Sequence, residues 1–205
     1  MKKGLRACAV GMALIAGLSA SAEDFTPRNP MTLWYDVPST ATGVKNVWME
    51  YSLPIGNGQL GGSLFGGLNK DEIQFNEKTL WTGKPSDMQG FGGGYGQYKN
   101  FGSIFVEDLS GVFLPGKDGE VKDYVRSLDL QEGIGRVHCT SAEYMTAYDR
   151  TYFVSNPDKV MVARYQASGK KKLHLLFSFA PGKDINASPV AYATDAGSLP
   201  YANFH

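Results

Sequence analysis

Apolar and polar positions alternate along most of this chain. Lys159 to Gln166 sets Val160, Val162 and Arg164 against Met161, Ala163 and Tyr165. Lys172 to Phe179 then sets Leu173, Leu175 and Phe177 against His174, Leu176 and Ser178. A period of two marks a strand with one buried face. Shorter runs of the same kind fall at Met31–Asp36, Ser63–Phe65, 72–76, Tyr98–Asp108, Val121–Leu130, Gly135–Thr140 and Glu143–Ser155. The breaks between them carry turn chemistry: Leu114-Pro-Gly-Lys-Asp-Gly119, Asn156-Pro-Asp158, Ser168-Gly169 and Ala180-Pro-Gly182. Only 119–130 hints at a helical period. Many short strands joined by such turns predict an all-β fold, an antiparallel β-sandwich.

One stretch stands apart from this alternation. Gly56 to Gly67 holds six glycines in twelve residues, and Glu72-Ile-Gln-Phe-Asn-Glu77 follows it. Gly56-Asn-Gly-Gln-Leu-Gly61 spells the dinucleotide fingerprint G-x-G-x-x-G, with Glu77 21 residues beyond Gly56. That fingerprint works only when it closes a strand and opens a helix. Gly61, Gly62, Gly66 and Gly67 would occupy the interior of that helix, each costing about 0.5–1 kcal/mol relative to alanine. The glycines are better read as sharp corners between strands.

Charge and export signals narrow the picture further. Lys2, Lys3 and Arg6, an apolar run over 7–18 and Ala20-Ser-Ala22 read as a secretory signal over residues 1–22. The apolar run is too short to span a membrane. Cleavage would leave 17 basic residues against 20 acidic ones and Cys139 as the single cysteine. No basic stripe points to nucleic acid, no disulfide can form, and Cys139 is expected to be a small buried hydrophobe. The location implied is periplasmic or extracellular. His138, His174 and His205 are isolated and make no metal-ligand spacing, and no cofactor motif is found.

Several runs together resemble the N-terminal domain of glycoside hydrolase family 95, mostly exo-acting α-L-fucosidases with some α-L-galactosidases. They are Trp48 to Gly62, Leu64-Phe-Gly-Gly67, Glu72 to Pro85, Tyr98 to Glu107, Asp123 to Leu130 and Asp149 to Ser155, in order across most of residues 31–180. Ser103 departs from the pattern, standing where an acidic residue is expected. The resemblance implies a large sandwich of the supersandwich type, packed on an (α/α)6 barrel that performs an inverting hydrolysis. Such a reaction needs two groups about 6.5–9.5 Å apart around a water, and none of the barrel motifs occurs here. No catalytic residue is therefore assigned. The organisation expected is signal 1–22, an N-terminal segment 23–30, the sandwich over 31–180 and an incomplete continuation over 181–205. The chain is expected to be a fragment, inactive alone, of an enzyme acting on fucosylated glycans. A free-standing carbohydrate-binding module, or the same domain of an α-L-galactosidase, is the alternative.

Six residues are candidates for a substrate-facing or interdomain surface: Asn57, Asn76, Glu77, Trp81, Phe91 and Tyr95. Asn57 either holds a positive φ in the glycine turn or hydrogen-bonds a sugar or the barrel. Glu77, beside Asn76, either accepts backbone hydrogen bonds at a strand end or faces the substrate. Trp48 and Trp81 are either sugar-stacking platforms or core and interface residues. Phe91 and Tyr95 lie on a glycine-rich loop over 83–96, a length often tied to function. Asp71, Glu72 and Arg150 are expected to be solvated.

Overall fold

The computed structural model describes residues 25–41, 45, 47–80, 99–113, 121–182 and 190–194. Eleven strands are found there: β1 (Thr32–Tyr35), β2 (Leu53–Gly56), β3 (Leu60–Leu64), β4 (Lys70–Glu77), β5 (Gly102–Asp108), β6 (Val121–Asp129), β7 (Ile134–Ser141), β8 (Thr146–Val154), β9 (Met161–Gly169), β10 (Leu175–Pro181) and β11 (Val190–Thr194). Helix is confined to a 3-10 turn at Ser39–Ala41 and a single turn, α1 (Val47–Glu50). The strands form a five-stranded sheet in the order β1-β6-β7-β8-β9 and a six-stranded sheet in the order β11-β10-β5-β4-β3-β2. Every pairing is antiparallel. This is the expected β-sandwich.

Alternation decides which face is which. Leu53, Ile55, Leu64 and Ile73 of the six-stranded sheet meet Leu128, Val137, Cys139, Tyr148 and Tyr152 of the five-stranded sheet in one core. The helical hint at 119–130 has a local cause. The register of β6 against β7 shifts between Lys122 and Val125, with Asp123 at φ 54°. One extra residue in a bulged strand flips the parity beyond it. Val121, Tyr124 and Leu128 therefore share the inner face at helix-like spacing while the backbone stays extended.

Charged groups also lie inside, and two expectations fail on them. Asp71 is 2% and Arg150 8% exposed, so neither is solvated. Parity explains both: Asp71 alternates with inner-facing Ile73, and Arg150 sits between Tyr148 and Tyr152. Arg150 Nη1 lies 3.3 Å from Asp71 Oδ2 and donates to the Gly67 carbonyl at 2.6 Å, and its Nη2 donates to the Leu68 carbonyl at 3.1 Å. Tyr152 donates its hydroxyl to Asp71 Oδ2 at 2.6 Å. Asp71 Oδ1 accepts the Gly67 and Glu72 amides at 3.1 and 3.0 Å. Burial is the largest single effect and works against the Arg150 cation, but the Asp71 carboxylate together with Tyr152, Tyr165 and Cys139 outweighs it and holds the guanidinium above its ordinary pKa. Burial, with Asp71 adding to it, pushes the Tyr152 hydroxyl well up, so it stays a donor.

This cluster grips the turn between β3 and β4. Tyr124 donates to the Gly66 carbonyl at 2.5 Å, and Ser39 donates its hydroxyl to the Phe65 carbonyl at 2.6 Å. Gly66 has φ +69°, and a Cβ there would stand 2.5 Å from the Tyr124 hydroxyl oxygen. A Cβ on Gly67 would stand 2.0 Å from the Lys70 carbonyl oxygen. Both positions require glycine.

Arg150→Met is expected to leave the Asp71 carboxylate buried without its cation, at a cost of about 3–5 kcal/mol. Urea unfolding of the chain should show a lower midpoint with an unchanged slope. Tyr124→Phe, which frees one carbonyl, should cost about 1–3 kcal/mol in the same assay.

Candidate functional site

Three of the six candidates come together at one end of the six-stranded sheet. Gly56, Gly61 and Asn76 stand side by side across β2, β3 and β4. They floor an open depression lined also by Gly58, Gln59, Leu60, Glu77 and Lys78. The β2–β3 hairpin forms its rim. Trp81, Phe91 and Tyr95 lie outside the described residues.

Asn57 builds the hairpin. Its Oδ1 accepts the Gln59 and Leu60 amides at 2.9 and 2.8 Å, closing a side-chain turn. Its Nδ2 donates to the Ser155 carbonyl at 2.7 Å, tying the hairpin to the residue after β8 in the other sheet. The positive φ expected of Asn57 belongs instead to its neighbour Gly58, at +84°. Gly58 can take that conformation without a Cβ penalty, which leaves the asparagine side chain to do the bonding. Gly61 has no such need. A Cβ there would meet nothing closer than the Ile55 carbonyl oxygen at 3.9 Å, so its bare backbone leaves the floor open.

Glu77 and Asn76 are bonded locally. Asn76 Oδ1 accepts the Glu77 amide at 2.9 Å. Glu77 Oε2 accepts the Thr79 amide at 2.8 Å and also the Thr79 hydroxyl. That hydroxyl first, and the amide second, hold the Glu77 carboxyl below the ordinary glutamate range. The Lys78 amide donates to Gln59 at 2.9 Å and the Leu80 amide to Glu77 at 3.0 Å, which fixes the chain leaving β4. A general acid requires the opposite shift, upward toward neutral pH. The depression is thus a rigid hydrogen-bonding surface with an ionised carboxylate.

Among the described residues the other titratable groups do not assemble a reaction centre. His138 Nδ1 lies 2.8 Å from Asp149 Oδ1 on the outer face of the five-stranded sheet, with both side chains roughly half exposed. Their partners across the sheet are Val125 and Gln166, which supply no nucleophile. Cys139 is buried and its thiol is pushed up to about 11 by burial, so it is protonated. Ser103, the departure from the expected acidic residue, donates to Glu72 Oε1 at 2.7 Å. Trp48 is 52% exposed, not a core residue. Among the described residues no group of His, Cys, Asp or Glu could hold a metal ion, and no helix is long and apolar enough to cross a membrane.

The model of a family described as "Glycosyl hydrolase family 65, N-terminal domain" matches residues 33–93 and 86–196. The chain belongs to this family. The resemblance drawn from the sequence named family 95 and the matching model carries the number 65, yet both denote the N-terminal domain of a glycoside hydrolase. The chain is 28% identical to "Alpha-L-fucosidase 2" of Arabidopsis thaliana, a match covering 68% of this chain and 19% of that protein. It is 26% identical to "Probable alpha-fucosidase A" of Aspergillus niger, covering 75% of this chain and 22% of that protein. The chain therefore spans about a fifth of the length of these curated relatives.

Thr79→Val should return the Glu77 pKa upward toward the ordinary glutamate value. A carboxylate whose pKa is depressed by folding stabilises the fold above its unfolded pKa, and that contribution fades as pH falls through the folded pKa. A side-chain carbon NMR titration from neutral to acid should therefore show the Glu77 midpoint below the ordinary glutamate range, and moving upward in the variant.

Proposed function

We propose that this domain is the N-terminal sandwich of an exported exo-glycosidase, an inverting α-L-fucosidase that removes terminal fucose from glycans. The observation that carries this reading is the match over 68% and 75% of the chain to two proteins named as fucosidases. Their greater length leaves room for an (α/α)6 barrel that supplies the reacting groups. The local chemistry agrees with an accessory role. Glu77, the acid of the depression, is held ionised by Thr79. In this reading Asn57, Asn76 and Glu77 shape the mouth of an active site built by the barrel. Trp81, Phe91 and Tyr95 are assigned to the same surface from the sequence alone. Export follows from the signal-like residues 1–22.

The test is hydrolysis of fucosylated oligosaccharides and of their L-galactosyl counterparts. The longer protein containing this chain should release fucose with inversion, and the 205-residue chain should release nothing. Release of L-galactose alone would move the substrate assignment. Turnover by the short chain would place the chemistry in this domain.

A further inference from the structure

One edge of the sandwich is unusually apolar. Of the ten exposed large hydrophobic residues among those described, six lie along β1, α1 and the end of β6. A seventh, Trp34, alternates with Leu33 on β1 and packs on the Phe25 ring at 5.4 Å. Met31, Leu33, Val37, Trp48, Met49 and Leu130 are between 41% and 71% exposed. Met31, Leu33 and Leu130 are neighbours in space. The Leu130 amide donates to the Met31 carbonyl at 2.9 Å, and Leu33 pairs with Leu128 across the ladder. Val37 and Tyr51, the residue that follows α1, are brought together by one buried cation. Arg126 donates through Nε to the Val37 carbonyl at 3.0 Å and through Nη1 to the Tyr51 carbonyl, and it lies 4.2 Å from the Tyr35 ring centre. The backbone under the patch is therefore fixed while its side chains face water. Lone exposed hydrophobics such as Leu109, Met145 and Val160 are ordinary, but six of them gathered at one edge mark a contact surface.

We propose that the β1–α1 edge is the seat of the rest of a longer polypeptide, which packs its own apolar surface over Met31, Leu33, Val37, Trp48, Met49 and Leu130. This rests on reading the chain as part of a longer enzyme, but not on which sugar that enzyme cleaves. Length argues for this occupant, because four fifths of each curated relative lies beyond the matched region. A tethered partner also meets the patch at an effective concentration in the millimolar range, which a second copy at micromolar concentration does not match. A sugar is a poor fit, since these six side chains carry no group other than the Trp48 indole that could satisfy hydroxyls.

Methionine oxidation reads the patch directly, because peroxide converts an accessible thioether to its sulfoxide. Met31 and Met49 are 56% and 71% exposed, and Met145, on the β7–β8 turn, is a 59% exposed reference. Free methionine added to each sample normalises the oxidant. Mass spectrometry of the 205-residue chain should show all three oxidising at similar rates. In the longer protein, shown monomeric by sedimentation, Met31 and Met49 should slow at least about tenfold, as burial of a thioether requires. Unchanged rates for Met31 and Met49 in the longer protein would overturn the proposal. So would concentration-dependent protection in the short chain together with a sedimenting dimer, which would give the edge to a second copy. Fucose release is assayed on the same longer protein. Release without protection sinks the docking alone, and protection without release sinks the substrate assignment alone.

Discussion

A carboxylate and a guanidinium buried between two sheets set the terms for everything around them. Neither Asp71 nor Arg150 could remain charged inside the sandwich unless the other were present and the remaining hydrogen-bonding capacity were used. Here the remainder is used on backbone and one hydroxyl: the Gly67 and Leu68 carbonyls accept hydrogen bonds from Arg150, the Gly67 and Glu72 amides fill Asp71 Oδ1, and Tyr152 donates to Oδ2. A well-packed hydrophobic pair of the same volume would often be as stable. What the ion pair adds is selectivity. A slip of β8 by one residue would send Arg150 to the outer face and strand Asp71 in the core, so the observed register of β8 is favoured over its one-residue slips.

That grip is transmitted along the six-stranded sheet. The turn at Gly66–Gly67 joins β3 to β4, and the other end of the same two strands carries the hairpin and Asn76–Glu77. Clamping one end fixes where the polar depression sits at the other, and the Asn57 bond to Ser155 pins it again from the opposite sheet. The second buried cation plays a comparable part at the β1 edge, where Arg126 carries Val37 and Tyr51 on its donors. Two inward arginines thus place two surfaces. One is polar and open, and the other is apolar and wide.

The sandwich was legible in the sequence because strands half-buried on one face must alternate, and β9 and β10 alternate cleanly. Where the backbone departed from regular pleat, legibility failed. The bulge at Asp123 put Val121, Tyr124 and Leu128 on one face at a spacing that imitates a helix. The buried charges were missed for a different reason: Asp71 and Arg150 were judged by residue type, although both alternate with core residues on their own strands. Parity was the signal that could have found them. Within the depression, composition pointed to Asn57, but the division of labour with Gly58 depends on backbone torsions that no residue pattern reports.

The glycine pair in the β3–β4 turn has a consequence at the level of the gene. Any single-base missense change in a glycine codon inserts a residue that carries a Cβ. At Gly67 that atom would sit 2.0 Å from a backbone oxygen, and at Gly66 2.5 Å from the Tyr124 hydroxyl. Neither obstacle is the loose end of a flexible side chain: one is main chain, and the other is a ring hydroxyl held by its own hydrogen bond to Gly66. At two consecutive codons, therefore, every missense neighbour forces the turn or the Tyr124 ring to shift.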